Sequence, residues 1–318
     1  MSIPPAIVVS ALSKRFGEVR AVDGLSFEVN AGEIFGLVGP DGAGKTTALR
    51  MLAGVLSADS GSAQVAGCDV IRDPESAKFQ LSYMSQRFGL YEDLTVDENL
   101  RFYADLFGVV RKQREPRSQE LLAAAGLSDF RSRLAGNLSG GMKQKLGLVC
   151  ALIHTPKVLL LDEPTNGVDP VSRRDFWRIL YSLQAEGVAI LASTSYLDEA
   201  ERCQRVGLLY RGRMLFCDRP DELKKKFPGE ILAVHAPQLG PVRAALAGAP
   251  GVRSALLVGD RVHLFVDEAS RRLPDLRGRL ESAGIVYDSI QPVAPTIEDL
   301  FVSAVESEPA ASAQTKPL

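Results

Sequence analysis

"EIFGLVGPDGAGKTT", residues 33–47, decides the fold. Its first part, 33–39, is mostly apolar and reads as a strand buried in a sheet that is covered on both faces. Its second part, 39–47, fits G-x-x-x-x-G-K-T, a phosphate-binding loop set between a strand and a helix. Gly39, Gly42 and Gly44, with Pro40, Asp41 and Ala43 between them, let the backbone curl so that successive amides face an anion. The helix that follows adds its positive end. Lys45 is expected to reach the β and γ phosphates of ATP, Thr46 to ligate Mg²⁺, and Thr47 to bond a phosphate oxygen. Glycines that merely turn a strand into a helix do not explain a lysine and a threonine placed together.

Working outward, "KVLLLDEPTNGVDP" (157–170) is an apolar strand that delivers Asp162 at its carboxyl end, where the phosphate loop also emerges in such a sheet. A carboxylate there can hold the Mg²⁺ shell. Glu163, one residue on, can orient or deprotonate water for attack on the γ phosphate. A capping role explains either acid alone, but not both at the end of a strand of valine and leucine. In "LSGGMKQKLGLVCALI" (138–153), Ser139, Gly140 and Gly141 open a helix with an apolar face. On its own, that serine reads as an N-cap.

Punctuation divides the rest. Strands at 6–12, 25–29, 157–162, 187–193 and 205–210 and helical patterns at 45–56, 96–108 and 142–154 imply a largely parallel, doubly wound α/β sheet. Antiparallel pieces near 6–29 and 62–84 are expected to form a side sheet, and a helical subdomain is expected over about 87–154. After residue 228 the order becomes strand (230–236), helix (240–249), two strands (252–258 and 261–267), helix (269–284) and strand (285–290). That is the ferredoxin-like β-α-β-β-α-β pattern of a small α+β domain, 229–305. Thr296 caps a last helix to Val305, with Glu298 and Asp299 in its first turn, and 306–318 reads as a disordered tail.

Composition narrows the function classes. Of 318 residues, 46% are hydrophobic and the formal net charge is -2, which gives no large cationic field for nucleic acid. Cys68, Cys150, Cys203 and Cys217 lack metal-ligand spacing and read as free thiols in a reducing compartment. The amino terminus has no signal-like core, and no stretch reaches the roughly 18 apolar residues of a spanning helix. The chain is expected to be cytoplasmic.

In this order, the phosphate loop, the "LSGGM" helix and the "LLLDEP" strand over residues 4–228 resemble the ATP-binding cassette (ABC) family of P-loop NTPases. The resemblance implies that Phe16 stacks on adenine, and that Gln86 in "YMSQRFGLYEDLTV" links Mg²⁺ and the attacking water to the membrane-facing surface. It also implies that Ser139, Gly140 and Gly141 close over the γ phosphate bound by an opposite subunit, and that Asp169 lies in the loop crossing between subunits. The implied partners are a second cassette, of the same or a different chain, and transmembrane permease subunits whose cytoplasmic helix docks in the stretch 95–135. Phe16 packed on the side sheet and Gln86 as a solvated strand end are the plainer readings. "RKQREPR" (111–117) reads either as a site for lipid headgroups or as an exposed loop.

"LYEDLTVDENL", "TSYLDEAERC" and the appended domain resemble the ATPase subunits of bacterial exporters of drugs, antibiotics or other hydrophobic compounds, in particular the first cassette of tandem-cassette multidrug exporters. The implied activity is ATP hydrolysis coupled to transport, at the inner face of the cell membrane. Two positions depart from the family: Asp41, most often asparagine, and Ser195, a histidine that contacts the γ phosphate. A serine neither spans that gap nor titrates near neutrality. Either turnover is reduced, as in a weakly hydrolytic member of an asymmetric cassette pair, or a water bridges Ser195 to the phosphate and activity is ordinary. A soluble cassette ATPase outside transport is the remaining alternative.

Overall fold

The computed structural model describes residues 4–86 and 89–307. The chain forms two compact units, dividing between Pro220 and Asp221. The first runs β1 (Ile7–Phe16), β2 (Val19–Val29), β3 (Ile34–Val38), α1 (Lys45–Leu52), β4 (Ser60–Val65), β5 (Cys68–Asp69), α2 (Pro74–Lys78) and β6 (Leu81–Met84). It continues with α3 (Val96–Leu106), α4 (Arg111–Ala125), α5 (Gly140–Leu152), β7 (Val158–Asp162), α6 (Pro170–Ala185), β8 (Ala189–Thr194), β9 (Arg205–Tyr210) and β10 (Arg213–Asp218). A short helix, α7 (Pro220–Lys224), spans the division.

The central sheet has the order β10-β9-β3-β8-β7-β6 and is parallel except for β10. Every residue of β3, β7 and β8 is buried, which is why these strands read as continuous apolar runs. α1 packs between this sheet and an antiparallel side sheet of order β2-β1-β4-β5, so that Leu49 and Leu52 share one core with Ile7, Val9, Leu160 and Leu191. α3, α4 and α5 pack on one another within the expected helical stretch, of which residues 87 and 88 lie outside the described residues.

Two expectations on this unit are corrected. Residues 81–84 do not join the side sheet: β6 is an edge strand of the central one, paired parallel with β7. Leu81, Ser82 and Met84 are all buried, so the segment suits a sheet covered on both faces rather than a half-solvated one. The "RKQREPR" segment is not a loop but the start of α4. Its charges sit on a helix, where Arg117 pairs with Glu120 one turn on and Arg131 closes on Glu115.

The second unit contains β11 (Glu230–His235), α8 (Leu239–Leu246), β12 (Val252–Val258), β13 (Arg261–Val266), α9 (Ala269–Ser282), β14 (Ser289–Val293) and α10 (Ile297–Ser307). Its sheet order is β12-β13-β11-β14, with every neighbouring pair antiparallel. Leu232, Val234, Val262 and Leu264 face α8 and α9 and form a core with Val242, Leu276 and Leu280. The last strand is 289–293 rather than the expected 285–290. Pro292 has no amide to donate, and it is tolerated because β14 is an edge strand. Ile285 and Tyr287, which give that segment its strand-like composition, instead pack partly against the core.

Thr296 caps α10 as expected, and Asp299 completes a reciprocal box: its carboxylate accepts from Thr296 N and Oγ1, while its amide donates back to Thr296 Oγ1 at 3.1 Å. The helix runs on to Ser307; the remainder of the expected tail, 308–318, lies outside the described residues. His263, on the strand position alternate to Val262 and Leu264, also donates from Nδ1 to the buried Asp299 at 2.9 Å. Asp299→Ala strips the partner from three donors. It is expected to destabilise the second unit by about 2–3 kcal/mol, measured by urea unfolding followed by circular dichroism.

Candidate functional site

The phosphate loop connects β3 to α1. Gly44 has φ 106°, and a side chain there would collide with the Ala21 carbonyl oxygen, so only glycine fits. Gly44 offers no side-chain cap to α1, leaving the first-turn amides of that helix facing the loop. Lys45, the first residue of α1, is 4% exposed. Its ammonium donates to the carbonyls of Gly39 at 2.7 Å and Pro40 at 3.0 Å and pairs with Glu163 at 3.0 Å. A buried ammonium is tolerable only with this degree of pairing.

Thr46 Oγ1 donates to Asp162 Oδ1 at 2.9 Å. Adjacent parallel strands bring their carboxyl ends to one edge, so the end of β7 meets the loop that leaves β3 across the intervening β8. Ser193 Oγ, on β8, donates to Asp162 Oδ1 at 2.9 Å, and Tyr83 OH, on β6, donates to Asp162 Oδ2 at 3.2 Å. Burial, and then the Asp162 charge, push the Tyr83 phenol up to about 12, so it stays a donor.

Glu163 follows with φ 48°, a left-handed conformation that costs a residue with a side chain of order 1 kcal/mol or more. Its amide is held by the Ser193 side chain at 3.0 Å and the Ser193 carbonyl at 3.2 Å. Its carboxylate is met by Lys45 on one oxygen, and by Gln86 Nε2 at 3.4 Å and Asn166 Nδ2 at 3.3 Å on the other. Ser195, just beyond β8, places its hydroxyl 2.8 Å from Glu163 Oε1, 3.0 Å from Asp41 Oδ1 and 3.1 Å from Lys45 Nζ.

Lys45, Thr46, Asp41, Asp162, Glu163, Gln86 and Ser195 therefore form one group. Ser193, Tyr83 and Asn166 belong to it but were not singled out from the sequence. A hydroxyl inside the apolar run "AILAS" was the available signal for Ser193. Phe16 lies at the β1–β2 hairpin, 50% exposed rather than packed on the side sheet, with the Lys14 ammonium 5.8 Å from its ring centre.

A second group sits at the starts of α5 and α6. Ser139 caps α5, its hydroxyl accepting from Met142 N at 3.3 Å. Asp169 caps α6, accepting from Val171 N and Ser172 N at 3.0 Å each, and the Ser172 hydrogen bonds hold its carboxyl below the usual carboxylate range. A side chain on Gly141 would collide with Ser172, so the glycine is what lets the two helix starts approach. Among the described residues, no hydrogen bond joins this group to the phosphate loop.

A parallel sheet with a phosphate loop at its switch point and two acids on a neighbouring strand end defines a P-loop NTPase of the cassette type. The family model described as "ABC transporter" matches residues 22–166. The chain belongs to the ABC transporter family. It is 46% identical over 301 residues to the "Probable multidrug ABC transporter ATP-binding protein YbhF" of Escherichia coli (strain K12), covering 93% of this chain and 51% of that protein. The chain thus spans about half the length of that relative. It is 35% identical over 302 residues to the "Daunorubicin resistance ATP-binding protein DrrA2" of Streptomyces coeruleorubidus, covering 93% and 94% of the two chains. A solved "ATP binding subunit of ABC transporter" superposes with a TM-score of 0.64 at 31% identity, over 70% of this chain and 93% of that one.

Proposed function

We propose that the chain is the ATP-binding and ATP-hydrolysing subunit of a multicomponent bacterial ABC exporter, powering efflux of drugs or other hydrophobic compounds through separate permease subunits. The observation that carries the reading is the pairing of Lys45 with Glu163 and of Thr46 with Asp162 at the mouth of the phosphate loop. The names of the relatives support the export role. In this reading residues 1–228 are the nucleotide-binding cassette. Residues 229–305 are a ferredoxin-like accessory domain, supported by its β-α-β-β-α-β order and antiparallel sheet.

Thr46 and Asp162 offer hard oxygen donors of the kind Mg²⁺ accepts alongside waters and substrate phosphates, so the residues present fit that ion. When bound, it would neutralise charge on the β and γ phosphates. The chain's own groups then divide the work. The loop amides and Lys45 hold the phosphates, the exposed face of Phe16 offers a surface for adenine, and Glu163 takes the proton of the attacking water while Gln86 orients it. Ser139 to Gly141 and Asp169 act on the site of a second cassette.

No helix among the described residues is long and apolar enough to cross a membrane, which suits a subunit docked peripherally on the inner face. A docking surface is supported by a cavity of about 230 Å³ lined by Ala53, Val55, Leu81, Tyr83, Tyr103 and Phe107. Phe79 and Leu106, next in sequence to the lining residues Lys78 and Phe107, are exposed. Because Tyr83 lines the cavity and also bonds Asp162, a permease helix seated there would touch the residue that holds the metal ligand. Purification of the tagged full chain from membranes, with identification of the bound chains and an ATPase assay, tests the assignment. Recovery without any membrane protein would instead favour a soluble cassette ATPase outside transport.

Ser195 favours a second reading, in which this chain is the weaker half of an asymmetric cassette pair. It would lend Ser139 to a fully equipped site while its own site turns over slowly. Under this reading Ser195→His leaves turnover of the native complex nearly unchanged, whereas Ser139→Arg collapses it. In a homodimer, Ser195→His raises turnover about tenfold. A native complex with two copies of this chain and no other cassette eliminates the asymmetric reading.

A further inference from the structure

A hydroxyl has one proton and two lone pairs. The Ser195 hydroxyl has three neighbours within 3.1 Å: the Lys45 ammonium, which can only donate to it, and the Asp41 and Glu163 carboxylates, which can only accept from it. One carboxylate therefore takes the proton and the other goes without. If Glu163 took it, Oε1 would carry both Lys45 and Ser195 while Oε2 faces Gln86 and Asn166. The acid meant to accept from water would then be crowded with donors. Among the described residues the exposed Asp41 side chain bonds Ser195 alone, at 3.0 Å against 2.8 Å for Glu163, and no ammonium draws on its charge. A carboxylate not already neutralised by an ammonium is the stronger acceptor.

We propose that Asp41 is a positioning residue that works through Ser195. Its carboxylate holds the Ser195 proton and turns the hydroxyl lone pairs toward Lys45, so that Glu163 Oε1 carries Lys45 alone and keeps a second lone pair for the attacking water. The two departures from the family pattern, a carboxylate at 41 and a hydroxyl at 195, are then one device rather than two independent losses. The proposal rests on the ATPase reading above. It also carries a cost in binding, because a negative charge near the mouth of the loop repels phosphates.

The test is a double-mutant cycle on the full chain in its membrane complex, measuring kcat and KM for ATP, with ATP affinity by calorimetry. Asp41→Asn replaces the carboxylate by an amide oxygen, a weaker acceptor than Glu163, so the Ser195 proton moves to Glu163. The expected result is a kcat lower by about 3- to 10-fold together with ATP binding tighter by about 3-fold or more. That split is one that misfolding does not produce. In the Ser195→Ala background there is no proton to redirect, so Asp41→Asn still tightens binding while its effect on kcat shrinks below about 2-fold. In a complex whose kcat falls on Glu163→Gln, an unchanged kcat in Asp41→Asn overturns the pair, as does an equal loss in both backgrounds or an ATP affinity that fails to tighten, and each leaves the ATPase reading intact. A wild-type complex that neither binds nor hydrolyses ATP overturns both.

Discussion

Lys45→Ala is expected to weaken ATP binding by about 100-fold or more. The ammonium is 4% exposed and lies 2.7 and 3.0 Å from two loop carbonyls, so it is aimed at the space that the loop encloses rather than at solvent. A charge-assisted bond to phosphate in such a place is worth about 3 kcal/mol, which is about two decades in affinity. The backbone of α1 does not depend on this side chain, and alanine favours a helix. Circular dichroism should therefore report a folded protein. Calorimetry that finds equal affinity in the folded variant and the wild type would remove the phosphate loop from the proposed function.

Glu163→Gln is expected to spare binding and slow hydrolysis by about 10²- to 10³-fold, within the range for removal of a general base. The amide keeps the size of the side chain and loses the charge that accepts a proton from water. It also dissolves the 3.0 Å ion pair with Lys45. The freed ammonium then meets phosphate without a competing carboxylate, so ATP affinity should be equal or tighter and the ATP-bound dimer should accumulate. Multi-turnover kinetics on the membrane complex, with size-exclusion chromatography in ATP, reads both effects. An unchanged rate would mean either that the catalytic group lies elsewhere or that this chain's own site contributes nothing to turnover, the second being the outcome the asymmetric pair requires.

Both predictions draw on residues legible in one dimension. The phosphate loop, the acids ending "VLLLDE", and the caps at Ser139 and Thr296 each lie within a contiguous segment. Their chemistry is set by local spacing: a loop that must curl, a helix start that must be capped, a strand that must end at the sheet edge. The element order of the second unit was legible for the same reason, since the change from alternating to helical periodicity occurs within a few residues.

Tertiary structure decided what depends on pairing between distant segments. Residues 81–84 belong to the central sheet because they pair with β7, and the last strand runs from Ser289 to Val293 because those residues pair with His235 to Ile231 of β11, on an edge that tolerates Pro292. Neither fact leaves a trace in local hydrophobicity. The same holds for Tyr83 and Ser193 converging on Asp162, and for Ser195 meeting Lys45 across 150 residues of sequence. In the sequence, Asp41 and Ser195 stand 154 residues apart. Only the parallel pairing of β3 with β8, whose ends lie at one edge, brings the Asp41 and Ser195 side chains to 3.0 Å, because hydrogen-bond partnership is a property of position in space that residue type and spacing do not encode.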